Sequence, residues 1–149
     1  MVTTFIIYFH YLGIMTLLGT LLTEHLILKR SLTAQQIRSL ARTDLIYGIS
    51  ALVVLATGLL RMLVYGKGVD YYLSNPWFHV KLTLFVVLGV LSIWPTVRFL
   101  KWKREIVEEK ILEIGNKKYG NTMLLIRIEL FIAAIIPFLA VMMARGYGM

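Results

Sequence analysis

The sequence contains four apolar runs, each about as long as a helix must be to cross a lipid bilayer. They cover approximately residues 4–28, 45–65, 77–99 and 123–144. A spanning helix needs about 20 largely apolar residues, and within lipid the backbone of such a run is satisfied by a helix. Hydrophobic residues make up 58% of the 149 residues, above the roughly 45–50% usual in soluble domains. The sequence therefore predicts one all-α domain, residues 1–149, folded as a four-transmembrane-helix bundle.

Basic residues are concentrated in two of the three connections between these runs. Those in connections 29–44 and 100–122 are Lys29, Arg30, Arg38, Arg42, Lys101, Lys103, Arg104, Lys110, Lys117 and Lys118. Loops rich in Lys and Arg usually stay in the cytoplasm. We therefore expect cytoplasmic basic loops and external termini, in a bacterial cytoplasmic membrane. The net charge of +8 is then a topology signal, and no nucleic-acid partner is expected.

The first basic connection contains the start of a helix. Thr33 is followed three residues later by Gln36, the spacing of a capping box, in which each side chain binds the backbone N–H of the other residue. We therefore expect a short cytoplasmic helix between spans 1 and 2 that begins at Ala34 and runs into the second span.

The third span is predicted to continue beyond the membrane as an amphipathic cytoplasmic extension. Trp102, Ile106 and Ile114 recur at roughly helical spacing. The charged residues interleaved with them are Lys103, Glu105, Glu108, Glu109 and Lys110. Gly115 and Gly120 are expected to end the extension. Such a charge run usually marks a solvated or lipid-surface helix, and no site is assigned to it.

Ionisable residues within the spans form two layers. The outer layer consists of His10, Arg61, His79 and Lys81, and the inner layer of Glu24, His25, Asp44, Arg127 and Glu129. Such residues are costly in lipid, so each is a candidate for function or for pairing between helices. In the inner layer the opposite charges are expected to neutralise one another. Arg127 and Glu129 are two residues apart and need partners on other helices.

The outer layer contains positively charged or neutral nitrogen-bearing side chains and no carboxylate at the same depth. This imbalance favours a bound anion or metal ion. A lone histidine on an apolar helix is more often a hydrogen-bonded core residue than a ligand. Neutral imidazole is nevertheless a common axial ligand of haem iron, and nearby Arg or Lys could hold the propionates. A haem would therefore fit the outer layer, with His10 as the nitrogen donor and Arg61 and Lys81 as the surrounding positive charges.

Three spans each have a seam of residues spaced by three or four positions, so that they share one helix face. The seams are His10, Gly13, Leu17, Thr20 and Glu24; Asp44, Tyr47, Ala51, Val54, Gly58 and Arg61; and Lys81, Phe85, Leu88, Ser92 and Pro95. Small residues such as Gly13, Ala51 and Gly58 allow helices to approach closely or leave space for a flat ligand. The sequence does not distinguish these two uses.

Four short motifs in order carry a family resemblance: FHYLG at 9–13, TGLLR at 57–61, WFHVKL at 77–82 and RIE at 127–129. This pattern resembles the HemJ-type protoporphyrinogen oxidases and a neighbouring family of uncharacterised four-span predicted membrane proteins. The resemblance implies a b-type haem and oxidoreductase activity associated with His10 and Lys81. In the haem b site that it implies, His10 is an iron ligand, Lys81 is a second iron ligand or a propionate partner, and Arg61 is an electrostatic clamp. The arginine and the acidic residue that this family has in its fourth span correspond to Arg127 and Glu129. Residues 24–25, 44–48 and 92–96 fit the neighbouring family better.

Three hypotheses for function follow. The first is a haem b redox protein that oxidises a porphyrinogen-like substrate and passes electrons to a quinone or a respiratory chain. The second is a non-catalytic accessory or assembly subunit of a membrane complex, whose buried charges are structural. The third, proton or ion transport, is weaker because the middle of each span lacks ionisable residues. A homo-oligomer is compatible with all three. The sequence contains no cysteine and no glycine-rich nucleotide loop.

Overall fold

The computed structural model describes residues 1–106 and 110–147, and its architecture is an all-α bundle. In chain order the elements are α1 Val2–Ile27, β1 Ser31–Leu32, α2 Ala34–Leu60, a π-helical turn Arg61–Tyr65, α3 Val69–Leu73, α4 Pro76–Glu105, β2 Leu112–Glu113 and α5 Asn116–Ala144. Within the described residues four helices, counting α2 with its π-helical turn, are long and apolar enough to cross a membrane. The predicted four-helix membrane fold is confirmed, and each predicted span lies within one helix except for Leu28, which caps α1.

The four long helices form a ring in the order α1, α2, α4, α5. The most extensive contacts are those of α1 with α2 and of α4 with α5, and α2–α4 and α1–α5 contacts close the ring. Connection 28–33 and the described residues 106 and 110–115 lie at one end, here termed the basic end. Connection 66–75, Met1 and residues 145–147 lie at the opposite end, termed the terminal end.

The predicted capping box at the start of α2 is confirmed. The Gln36 backbone N–H donates to Thr33 Oγ1 over 3.3 Å, and the Thr33 backbone N–H donates to Gln36 Oε1 over 3.0 Å. From Ala34 the helix continues without a break to Leu60. The short helix expected before the second span is therefore the first part of α2.

The predicted amphipathic extension of the third span ends earlier than expected. Helix α4 continues past the membrane-length run to Glu105, and Trp102 is buried on it. Ile106 already has extended backbone. The predicted extension residues Glu108 and Glu109 lie outside the described residues.

The chain after the extension pairs with the other basic connection. Strands β1 and β2 are antiparallel, with Ser31 opposite Glu113. Ile114, expected on a helix, follows β2 and is buried. Gly115 precedes the first residue of α5 and Gly120 lies within α5, so neither ends the extension as predicted. Burial of apolar side chains under this ribbon explains the difference, because a helix running into water would leave them exposed.

Packing is most complete towards the basic end. The cluster there consists of Leu28, Leu32, Ile37, Leu40, Phe99, Trp102, Ile114, Met123 and Ile126. A second cluster lies along the bundle and consists of Leu17, Leu21, Tyr47, Leu88, Ile132 and Ala133. At the terminal end the buried cluster consists of Tyr72, Phe78 and Met143. Tyr8, Tyr11 and Tyr65 are exposed there, as expected of an interfacial aromatic belt.

The terminal-end connection is fixed to the end of α5. Asn75 is fully buried; its Oδ1 accepts from the Trp77 backbone N–H over 2.9 Å and its Nδ2 donates to the Tyr147 carbonyl over 3.2 Å. The Tyr71 hydroxyl donates to the Met143 carbonyl over 3.2 Å. This connection therefore forms an ordered cover over the bundle.

Candidate functional site

The first candidate site, termed the nitrogen cluster, consists of His10, Arg61 and Lys81 in the terminal half of the bundle. His10 is on α1, Arg61 begins the π-helical turn after α2, and Lys81 is on α4. All three side chains are partly buried. Arg61 and Lys81 both act electrostatically on His10, and Arg61 acts on Lys81. The structure therefore brings together all three residues predicted for the haem site.

Thr57 fixes the ring of His10. His10 Nδ1 lies 2.8 Å from Thr57 Oγ1, and that hydroxyl lies 2.6 Å from the Val53 carbonyl oxygen. A hydroxyl has one proton to donate. The Val53 carbonyl can only accept, so a Thr57 hydroxyl that donates to it has its lone pairs available for the N–H of His10 Nδ1. This arrangement corresponds to the neutral tautomer in which His10 Nε2 carries the lone pair.

The other side of the nitrogen cluster rests on aromatic side chains. Lys81 Nζ lies 5.4 Å from the centre of the Phe78 ring, a distance at which an ammonium group and an aromatic face attract. Phe78 is buried and packs edge-to-face with Tyr72, with ring centres 5.5 Å apart. The aromatic cluster at the terminal end thus positions Lys81.

His79 was predicted in the same layer but does not join the nitrogen cluster. Its side chain is exposed, and its Nε2 lies 2.8 Å from the Leu73 carbonyl oxygen. Asp70, the acidic residue of the same connection, is also exposed. Among the described residues, none of the groups that act electrostatically on His10 or Lys81 is a carboxylate.

Gly13 allows helices α1 and α2 to pack closely against each other. A Cβ atom added at Gly13 would lie 2.8 Å from Val54 Cγ2, and one added at Gly58 would lie 3.5 Å from His10 Cε1. A groove of about 270 Å³ between these helices is lined by Phe9, Leu12, Gly13, Thr16, Ile46, Ile49, Ser50 and Val53. It does not include the nitrogen cluster. Of the two uses considered from the sequence, the structure therefore supports close helix packing at Gly13.

The second candidate site, termed the carboxyl cluster, consists of Glu24 on α1, Asp44 on α2 and Glu129 on α5. Their exposed fractions are 1%, 7% and 1%. Each pair of these groups interacts electrostatically. Asp44 Oδ1 accepts from the Thr96 hydroxyl on α4 over 2.8 Å. All four long helices therefore contribute to this site.

The prediction that inner-layer charges neutralise one another is wrong. Arg127 is exposed, because a separation of two residues places it about 200° around the helix from Glu129. Within the described parts of the chain, Glu24 Oε1 and Glu129 Oε1 are buried without a hydrogen-bond partner. No cation pairs with the cluster there. His25, whose role the sequence left open, is partly buried and its Nδ1 is buried and also unpartnered.

Sequence reasoning missed the hydroxyl groups that complete both sites. Thr57 binds His10, and Thr96 binds Asp44. Thr57 is four residues before Arg61, so the helical repeat could have placed it on the same seam. No comparable rule links Thr96 to Asp44, since that contact depends on how α2 and α4 pack.

The match to a family model covers nearly the whole chain. The model described as "Predicted membrane protein (DUF2214)" matches residues 2–148. The chain belongs to the DUF2214 family. No curated protein and no solved structure matches it. Membership confirms an uncharacterised family of predicted membrane proteins and, with the four apolar helices, an integral membrane protein. The resemblance to HemJ-type enzymes stays a prediction.

Proposed function

We propose that this DUF2214 member is a membrane redox protein that binds haem b at the nitrogen cluster. The observation that carries the proposal is the hydrogen bond between His10 and Thr57. A ligating histidine normally donates its second ring N–H to a neighbouring group, which fixes the ring and its tautomer. Thr57 provides this acceptor, and His10 Nε2 keeps the lone pair that an axial ligand needs.

The charges around His10 also suit haem b. Arg61 and Lys81 lie beside it, and their positive charges match two propionate groups. The alternative role for Lys81 is that of a second iron ligand, in which its amine would be neutral and Arg61 alone would supply the positive charge. In residues 1–106 and 110–147, no group of three or more His, Cys, Asp or Glu side chains could hold a bare metal ion. The donor set therefore fits iron held mainly by a porphyrin better than an ion held by side chains alone.

In this proposal the chain supplies binding and orientation, while a bound haem supplies one-electron redox chemistry. His10 contributes its nitrogen, Thr57 holds the imidazole, and Arg61 with Lys81 neutralises carboxylates. The cover of residues 66–75 shields the terminal end. With Lys81 as a propionate partner, these roles require no proton movement by the three nitrogen groups.

The reaction that we propose is oxidation of a porphyrinogen-like substrate, on the basis of the resemblance to HemJ-type enzymes. Each step that removes a pair of hydrogen atoms from the substrate reduces one quinone to its quinol, which balances electrons and protons. We also propose that the basic end faces the cytoplasm, in accordance with the positive-inside rule. Both chain termini are then external.

An absorption spectrum of the detergent-purified protein, oxidised and then reduced with dithionite, tests the proposal. We expect a Soret band that shifts on reduction, and a pyridine haemochrome spectrum of the b type. A protein that stays colourless after expression with ample haem supply would contradict the proposal. The function would then be that of an accessory subunit whose nitrogen cluster is structural.

A further inference from the structure

The carboxyl cluster has no role in the proposed haem site, and it lacks the partners that ionised carboxylates need inside a membrane. A buried carboxylate is stable only with a cation or with several hydrogen-bond donors. Among the described residues, the Thr96 hydroxyl donates to Asp44, whereas Glu24 Oε1 and Glu129 Oε1 are buried and unpartnered. Something that the described residues do not supply must therefore compensate these oxygen atoms.

Among the described residues, the polar side chains around the cluster are three hydroxyl groups and one histidine. Helix α2 adds the buried Tyr47 hydroxyl, which all three carboxyl groups affect electrostatically. Helix α4 contributes the hydroxyls of Ser92 and Thr96. His25 follows Glu24 on α1, and its Nδ1 has no hydrogen-bond partner within residues 1–106 and 110–147.

The arginines of α4 and α5 near this level are directed elsewhere. Arg98 Nη1 donates to Thr122 Oγ1 over 2.5 Å and to the Lys118 carbonyl over 3.3 Å. Arg127 is exposed. Neither guanidinium group pairs with a carboxyl group of the cluster in the described structure.

We infer that the carboxyl cluster is a proton-binding site in which Glu24, Asp44 and Glu129 are held as neutral acids. A proton is the one cation that needs neither a cavity nor a full set of ligands. A metal ion needs several donors at short range, and the described residues contain no group of three or more His, Cys, Asp or Glu side chains placed for one. The inference is independent of haem binding.

The cluster exchanges protons with the solution at the basic end. Glu24 lies three residues before the end of α1 at Ile27, which is about 5 Å along the helix axis. In the other direction His10 lies 14 residues away on α1, about 21 Å, and the one titratable side chain between them on that helix, Tyr11, is next to His10. The site is therefore a one-sided proton store and not a path across the membrane.

Infrared spectroscopy of the protein in lipid nanodiscs at neutral pH tests this inference. We expect the carbonyl stretch of a protonated carboxylic acid, shifted to lower frequency in D₂O. Glu24→Gln and Glu129→Gln should each remove part of the band. Glu113→Gln is the matched control, because Glu113 is exposed on β2, and it should leave the band unchanged.

Four results would overturn the inference. The wild-type protein could lack the band, which requires no variant to fold. The band could fail to shift in D₂O, which would exclude exchange with solution. Elemental analysis could find a stoichiometric metal ion that Glu24→Gln removes, which would make the cluster a metal site. A band that persists fully in both folded variants would likewise assign the protonated acid elsewhere.

Discussion

The nitrogen cluster and the carboxyl cluster occupy opposite halves of one bundle and differ in charge, burial and partners. His10, Arg61 and Lys81 are partly buried, whereas Glu24 and Glu129 are almost completely enclosed. The histidine has a fixed hydrogen-bond partner, while two of the acids have an unpartnered oxygen. Partial exposure leaves an edge at which a large anionic ligand can bind. Complete enclosure leaves room for little more than a proton.

Among the substitutions that test this comparison, we expect the largest effect from Thr57→Val, which should weaken haem binding. The change keeps the shape of the side chain but removes the acceptor for the His10 Nδ1 proton. Loss of such a supporting hydrogen bond typically weakens metal-site affinity about 10–100-fold. Titration of haem into the apoprotein, followed at the Soret band, measures this change.

Two controls accompany the Thr57 variant. Thr57→Ser retains the hydroxyl and should restore binding close to the wild-type affinity. Ser50→Ala removes a hydroxyl that donates to the Ile46 carbonyl of the same helix, and it should not weaken haem binding. Equal losses in Thr57→Val and Ser50→Ala would show a general packing effect and would remove the special role of Thr57.

Gly13→Ala should lower the thermal stability of the protein in detergent. Its new Cβ would lie 2.8 Å from Val54 Cγ2, and overpacking of this kind costs about 1–3 kcal/mol. Gly19→Ala is the matched change on the same helix, because a Cβ there meets no atom within 4 Å. If both variants melt at the same temperature, close packing at Gly13 is not important for stability.

Glu24→Gln should change the free energy of unfolding at neutral pH by less than about 1 kcal/mol, the net value of a typical hydrogen bond. The reason is that a neutral amide would replace a neutral acid of nearly the same shape. Equilibrium unfolding in detergent measures the change. Strong stabilisation by this variant would indicate that the carboxyl groups of the wild type are ionised and repel each other.

The smallest effect is expected for Arg127→Gln. Breaking a buried ion pair typically costs about 3–5 kcal/mol, but Arg127 is exposed and does not pair with the carboxyl cluster in the described structure. We expect its removal to change the unfolding free energy by less than about 0.5 kcal/mol, as for most surface substitutions. A loss of several kcal/mol in the free energy of unfolding would indicate that Arg127 does pair with a carboxyl group, as the sequence predicted.

The features that were predicted correctly follow from local sequence patterns. Apolar length identified the four membrane helices, Thr33 with Gln36 marked the start of α2, and three-to-four spacing placed Gly13, Leu17 and Glu24 on the buried face of α1. These features depend on a single segment of chain. They require no knowledge of how the helices pack.

The features that the sequence did not predict depend on contacts between distant segments. The ribbon of β1 and β2 joins residues about 80 positions apart in the chain, and two-residue strands have no recognisable period. The direction in which Arg127 points could not be derived from its membrane depth alone. The Asp44–Thr96 hydrogen bond likewise arises only when α2 and α4 are packed together.

The central claim, that the histidine held by Thr57 carries haem b, is tested most directly by comparing His10→Ala with His79→Ala. Both histidines lie towards the terminal end, but only His10 belongs to the nitrogen cluster. The measurement is haem bound per folded chain, from the pyridine haemochrome assay. We expect His10→Ala to lose the haem and His79→Ala to retain it. Equal haem content in His10→Ala and the wild-type protein would contradict the claim.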